Sequence, residues 1–239
     1  MNDMLQTIPL SKLLIAFIPV LFVVAIIWKW QLGYKNSIYA ISRMLVQLLL
    51  IGYVLAYIFE TDSSLVVIAV LSIMLFSSSW IALTSLDLPK GILFSKSFAA
   101  IFLSGVFVLL IISQGVLDLN PWYAANVIIP LAGMVFANAM NSVSLAGERL
   151  QAEINRGIEY ELARNIAMRA SLIPITNSLF AVGLVSLPGM MTGQILAGVS
   201  PLIAARYQIM VMCMLFAAAG IASALFLVFV KPYFQQKQA

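Results

Sequence analysis

In the run FAVGLVSLPGMMTGQILAG, Pro188 and Gly189 interrupt an apolar stretch and place two thioethers, Met190 and Met191, directly after the interruption. Thioether sulfur suits soft ions such as Cu(I) and binds hard or highly charged cations poorly, so these side chains, with Met134 and Met140 as companions, are a candidate metal-contacting set. Methionine is also a flexible filler of irregular packing, and the chain holds 12 of them. The backbone offers the same place a second use. Pro188 disfavours helical geometry at Leu187 and cannot donate to the preceding turn, while Gly189 bends at little cost. A spanning helix broken here exposes carbonyls that must face protein or water rather than lipid. Such discontinuities recur where carriers bind ions and solutes. The expected element is a sixth span, kinked or unwound near its middle and used in translocation or gating.

Asn138 and Asn141 lie three residues apart in VIIPLAGMVFANAMNSVSLAG, on one helical face, beside Met134, Met140 and Ser144. Two primary amides inside a bundle either bond between helices or meet a solute. Pro130 removes a backbone donor from this span, and Gly133 permits close approach. Gln47, four residues after Arg43, is a further amide within apolar sequence and must face another helix or an aqueous cavity. Ser77, Ser78 and Ser79 can return their hydroxyls to the backbone and carry no pathway argument alone.

Other chemistries are excluded or disfavoured. The chain has no histidine and one cysteine, Cys213, so it forms no internal disulfide and lacks the commonest transition-metal ligand. No expected span holds a carboxylate away from its margins, which disfavours proton coupling. There is no GxxxxGK[ST] nucleotide loop. Energised transport by this chain would have to draw on a partner, and the chain is not expected to be an enzyme.

The elements that must position these residues follow from composition. Of 239 residues, 63% are hydrophobic and 9% charged, with mean hydropathy +1.05, as repeated spanning helices require. A bilayer core takes about 20 apolar residues per helix. Seven segments reach that length, near 10–28, 38–59, 64–84, 97–117, 122–145, 172–196 and 204–230. The first reads as a spanning helix rather than a cleaved signal. The expectation is one all-α, polytopic membrane domain over residues 1–239.

The net charge of +4 lies in short segments between apolar runs, which reports membrane orientation rather than nucleic-acid binding. With the C-terminus cytoplasmic, eleven basic residues fall inside: Lys29, Lys35, Arg43, Lys90, Lys96, Arg149, Arg156, Arg164, Arg169, Lys231 and Lys237. Lys12 and Arg206 alone fall outside. The N-terminus is therefore expected outside.

Between the fifth and sixth spans lies GERLQAEINRGIEYELARNIAMRAS, where Leu150, Ile154, Ile158, Leu162 and Ile166 recur every four residues. That spacing predicts a cytoplasmic amphipathic helix over 148–170, weakened at Gly157. Ile154, Ile158, Leu162, Arg164 and Arg169 are candidates for docking a soluble partner; the alternative is a surface helix that merely connects two spans.

Four blocks, SRMLVQLLLIGYVLAYIF at 42–59, VIIPLAGMVFANAMNSVSL at 127–145, RASLIPITNSL at 169–179 and VGLVSLPGMMTGQILAGVSPLIAARYQIM at 182–210, resemble the FetB-type (UPF0014) family of ABC transporter permeases. With the matching span order, the resemblance covers nearly the whole chain. It implies a permease that binds no cofactor itself and pairs with a cytoplasmic ABC ATPase carrying ATP and Mg, as two permeases and two ATPases. It also implies a bacterial inner-membrane location. Bacterial members are associated with iron export and resistance to oxidative stress, plant members with aluminium tolerance. One departure is that the segment from Glu148 to Arg169 is compact and lacks the Leu-Gly-Ala element that resembles the docking loop of other ABC permeases. An ATPase-independent channel or carrier, and a noncatalytic membrane scaffold, are the competing classes.

Overall fold

The computed structural model describes residues 9–59, 63–86 and 90–238, and among these it is all helix apart from turns and one isolated bridge. The chain divides into two compact units, Met1–Glu60 and Thr61–Ala239. In the first, α1 (Leu10–Ile15) and α2 (Phe17–Lys29) meet at Ala16, and a turn with Gln31 at φ 58° and Gly33 at φ 77° leads into α3 (Tyr34–Phe59). Helix α2 buries no side chain. Its apolar surface therefore suits lipid or protein rather than water.

The second unit contains α4 (Ser64–Ile81), α5 (Lys90–Leu110), α6 (Ala125–Asn155), α7 (Tyr160–Ala181), α8 (Gly189–Leu196) and α9 (Pro201–Gln238). Helix α5 continues into a six-residue π-helical segment, Ile111–Val116. Helix α6 packs on α4, α5, α7 and α9, and α9 also packs on α5, α7 and α8. The seam is made of small side chains. Ala132, Ala139 and Ala146, spaced by seven on α6, are fully buried, as are Ala218, Ala219 and Ala222 on α9. Lipid tails are as apolar as leucine, so close backbone approach holds such a bundle together. Gly105 of α5 is one such approach: a Cβ there would lie 2.5 Å from Phe136 Cε1 of α6. Ser104 Oγ donates to the Ala218 carbonyl at 2.9 Å, and Ser97 Oγ to Ser79 O at 3.1 Å. Ser78 and Ser79 return their hydroxyls to Leu75 O, the backbone bonding their sequence allows.

Six helices among the described residues are long and apolar enough to cross a bilayer: Ser11–Lys29, Tyr34–Leu55, Ser64–Ile81, Gly91–Val116, Ala125–Asn155 and Pro201–Gln235. They correspond to six of the seven expected spans. The expected sixth, 172–196, is instead divided between α7, a non-helical turn and α8. At 22 residues α7 is about 33 Å long, but it carries Glu161, Arg164 and Arg169 in its N-terminal half.

The expected amphipathic helix over 148–170 is replaced by two helix ends and the turn joining them. Helix α6 runs to Asn155, where Gly157 adopts φ 82°. Gly157 N donates to Ile154 O at 3.0 Å and Ile158 N to Glu153 O at 3.1 Å, a Schellman cap that only a left-handed residue completes readily. The four-residue apolar stripe is thus discontinuous. Leu150 and Ile154 are buried, whereas Leu162 is 54% exposed. Ile154, an expected docking residue, is thus buried at the end of α6.

Candidate functional site

The interruption near Pro188 is longer than a kink. Helix α7 ends at Ala181; Gly183 then adopts φ 83° and donates to Ser186 O at 3.0 Å, and Val185 N and Ser186 N both return to Ala181 O. Leu184 and Val185 at the turn are 90% and 85% exposed. Pro188 is the residue preceding α8, with its φ of −61° and ψ of 148° setting an extended entry, and Thr192 N closes the first turn onto Pro188 O at 3.0 Å. Eight residues of α8 reach about 12 Å, far short of a bilayer. Gly183 and the seven non-helical residues 182–188, rather than Pro188 alone, end the helix.

This turn closes one side of a cavity of about 500 Å³. Asn138 and Asn141 of α6 line it together, as their spacing predicts, and Met134, Pro188, Gly189 and Met190 line it as well. Helix α9 contributes Gln208 and Met212, and α7 contributes Ser178. Asn138 stands about 20 Å along α6 from Ala125, and Gln208 about 10 Å along α9 from Pro201, so the cavity lies at depth along the helices. An adjoining cavity of about 490 Å³ shares Met134 and Met190 and adds Pro130, Gln194 and Tyr207. A third, of about 350 Å³, is lined by Met191, Gln208, Met212 and Cys213. Met140 lines none of the three. Gln47 is exposed on α3, in the other unit. Gly133 has Met74 Cε 3.3 Å from where its Cβ would stand, the close approach its sequence permits.

Gln208 is the residue that sequence reasoning passed over. It is 5% exposed, and its Oε1 is buried without a hydrogen-bond partner. Gln194 Oε1 is in the same condition. The cost of an unpaired amide in apolar surroundings, applied above to Gln47, holds equally at 208 and was the available signal. The π-helical segment has no comparable signature in composition.

A second feature stands at the α6–α7 connection. Glu153, 4% exposed, accepts from Arg149 at 2.6 Å and Arg156 at 3.1 Å. Glu161 pairs with Arg164 at 2.5 Å and with Lys231 of α9 at 2.6 Å. The hydrogen bond from Lys231 holds the Glu161 carboxyl below its ordinary value. The buried Tyr160 hydroxyl donates to Leu227 O, and burial pushes its pKa up to about 12. These contacts fix the start of α7 to α9. Alongside, Arg149, Leu162, Asn165, Ile166 and Arg169 line a groove of about 580 Å³. Leu162 and Arg169, two of the expected docking residues, meet there; Arg164 is engaged with Glu161, and Ile158 lies half-buried in the connection. No group of three or more His, Cys, Asp or Glu stands together among the described residues.

A family model described as Uncharacterised protein family (UPF0014) matches residues 10–234. The chain belongs to this family. The UPF0014 membrane protein slr1647 of Synechocystis is 39% identical over 190 residues, covering 73% of each chain. The Escherichia coli protein described as a probable iron export permease, FetB, is 35% identical over 79% of this chain and 77% of its own. Protein ALUMINUM SENSITIVE 3 of Arabidopsis thaliana is 30% identical over 87% and 81%. No solved structure matches the chain. This UPF0014 chain is thus a multi-pass membrane protein whose helices border a cavity lined by amides and thioethers.

Proposed function

We propose that this chain is the membrane-spanning permease of an ABC-type exporter that moves a metal ion out of the cytoplasm, with ATP and Mg on a separate ATPase. The observation that carries the reading is the cavity at depth, where Asn138, Asn141 and Gln208 face the non-helical turn before α8. The cavity opens on one side, where Asn141 and Ser178 are exposed, but the Gln208 amide oxygen is buried in it unpaired, which is costly unless something meets it. An exchange of partners during passage supplies that something. The name of the Escherichia coli relative supports permease chemistry with iron or another metal ion as cargo.

In this reading the chain is one permease domain in the bacterial inner membrane, assembled as two permeases with two ATPases, its N-terminus outside and C-terminus cytoplasmic, with α7 returning the chain across the bilayer as a seventh crossing beside the six long helices. The α6–α7 connection projects toward the cytoplasm and offers the ATPase the groove of Leu162 and Arg169. Rearrangement of the 182–188 turn opens and closes the cavity, and Met191 supports it from the side of Cys213.

The test is reconstitution of the chain with a candidate ATPase in vesicles. ATP-dependent metal flux is expected, falling by about tenfold or more when Asn138 and Asn141 are both replaced by Leu. Leu162→Asp should abolish copurification of the ATPase while leaving the permease inserted. Flux without any ATPase would establish the independent carrier instead. Full flux through the double Leu variant would remove the cavity from the pathway.

A further inference from the structure

Three thioethers line the cavity from three different elements: Met134 from α6, Met190 from α8 and Met212 from α9. The sequence pairs Met190 with Met191 and Met140, but the fold separates them. Met191 lines the neighbouring cavity and Met140 lines neither. Gln208, 95% buried by its 5% exposure, lines both cavities and holds an amide oxygen with no partner. The remaining polar lining consists of asparagine and serine. No ionisable side chain lines this cavity among the described residues.

Two physical arguments fix the class of ion that such a lining accepts. The cost of stripping water from an ion rises steeply with its charge, and a lining of neutral donors offers no compensating charge. A divalent ion is therefore penalised far more than a monovalent one. Thioether sulfur then discriminates among monovalent ions, because it is a soft donor that alkali cations decline and Cu(I)-like cations prefer. We infer that Met134, Met190, Met212 and the Gln208 amide oxygen form a binding site for a soft monovalent cation of the Cu(I) and Ag(I) class. This rests on the permease reading only for its role in transport; the site itself is a property of the isolated chain.

The experiment uses the full chain in lipid nanodiscs, with Cys213→Ala to remove the thiol, titrated with Ag(I) by calorimetry. One tight site is expected, not competed by Fe(II) or Mn(II) under anaerobic conditions. Met134→Leu, Met190→Leu and Met212→Leu keep apolar volume while removing sulfur, and each should weaken Ag(I) binding by roughly tenfold. Met140→Leu should leave it unchanged. Silver absorption spectroscopy on the otherwise unaltered chain should show sulfur neighbours, a readout that does not depend on how the variants fold. Unchanged affinity in the triple Leu variant, a shell of oxygen and nitrogen alone, or preferential binding of Fe(II) would each overturn the inference. Ag(I) bound at these sulfurs without ATP-dependent flux would uphold the site and defeat the permease reading. ATP-driven flux of divalent iron undiminished in the triple variant would do the reverse.

Discussion

Two residues at the start of α7 show how single side chains fix its geometry. Tyr160 is 2% exposed and donates to a carbonyl in the last third of α9, while Glu161 reaches Lys231 one turn further on. Tyr160→Phe removes one buried hydrogen bond while the Leu227 carbonyl keeps its helical partner, and is expected to destabilise the chain by about 0.5–1.5 kcal/mol. The pH dependence of the two groups has opposite signs. Glu161 has a lowered carboxyl pKa, so its contribution is present above the ordinary value of 4.5 and is lost as pH falls through the folded-state value. Tyr160 has a raised pKa, so its contribution is present below the ordinary value of 10.0 and is lost as pH rises toward about 12. Thermal unfolding in detergent checks the first: Lys231→Met should lower the midpoint at neutral pH and make little difference once Glu161 is protonated. A gap of equal size at acid pH would show that Lys231 acts through packing instead.

At the scale of elements, close approach of helices is the stabilising device, and Gly105 shows its tolerance. A methyl there would meet the Phe136 ring at 2.5 Å, and Phe136 is itself buried, so the ring cannot swing into free space. Gly105→Ala should cost about 1–3 kcal/mol, and Phe136→Leu should recover part of that in the double variant, a coupling that equilibrium unfolding measures. The break before α8 gives a contrasting result. Pro188→Ala with Gly189→Ala is not expected to fuse α7 and α8, since residues 182–188 lie between them and Gly183 holds φ 83°. Helix content by circular dichroism should stay unchanged, whereas a rise equivalent to the missing turns would assign the break to proline after all. Apolar run length announced six of the seven expected spans as long helices, because bilayer thickness dictates it, while the interruption of the other, 172–196, was announced by Pro188 and Gly189 rather than by run length. The joint presence of Asn138 and Asn141 was legible for a similar reason, since three residues return a helix to one face. What pattern could not carry was where chains meet. A stripe every four residues from Leu150 to Leu162 reads as one helix until Gly157 reverses the chain, and Gln208 becomes a site residue only when α9 is laid beside α6 and α7.

For the whole molecule, helix length and charge bear on the proposed orientation. Helices α6 and α9, at 31 and 38 residues, are longer than the roughly 20 that a bilayer core needs, so each projects beyond it. The ion pairs show that their projecting ends lie together: Arg149 and Arg156 flank Glu153 where α6 ends, and Lys231 of α9 holds Glu161 where α7 begins. In the proposed orientation, a cluster so rich in Arg and Lys faces the cytoplasm. The consequence is testable at two exposed positions, Asn120 in the connection before α6 and Glu159 in the connection after it. In a Cys213→Ala background, a cysteine at 120 should react with an impermeant maleimide in intact cells, and one at 159 only after permeabilisation. Helix α6 lies between the two positions, so if it crosses the bilayer they must label from opposite sides whichever way the chain inserts. Labelling of 159 and protection of 120 would invert the orientation and place the Leu162 groove away from any cytoplasmic ATPase. Equal labelling of both in sealed cells would deny that α6 crosses at all.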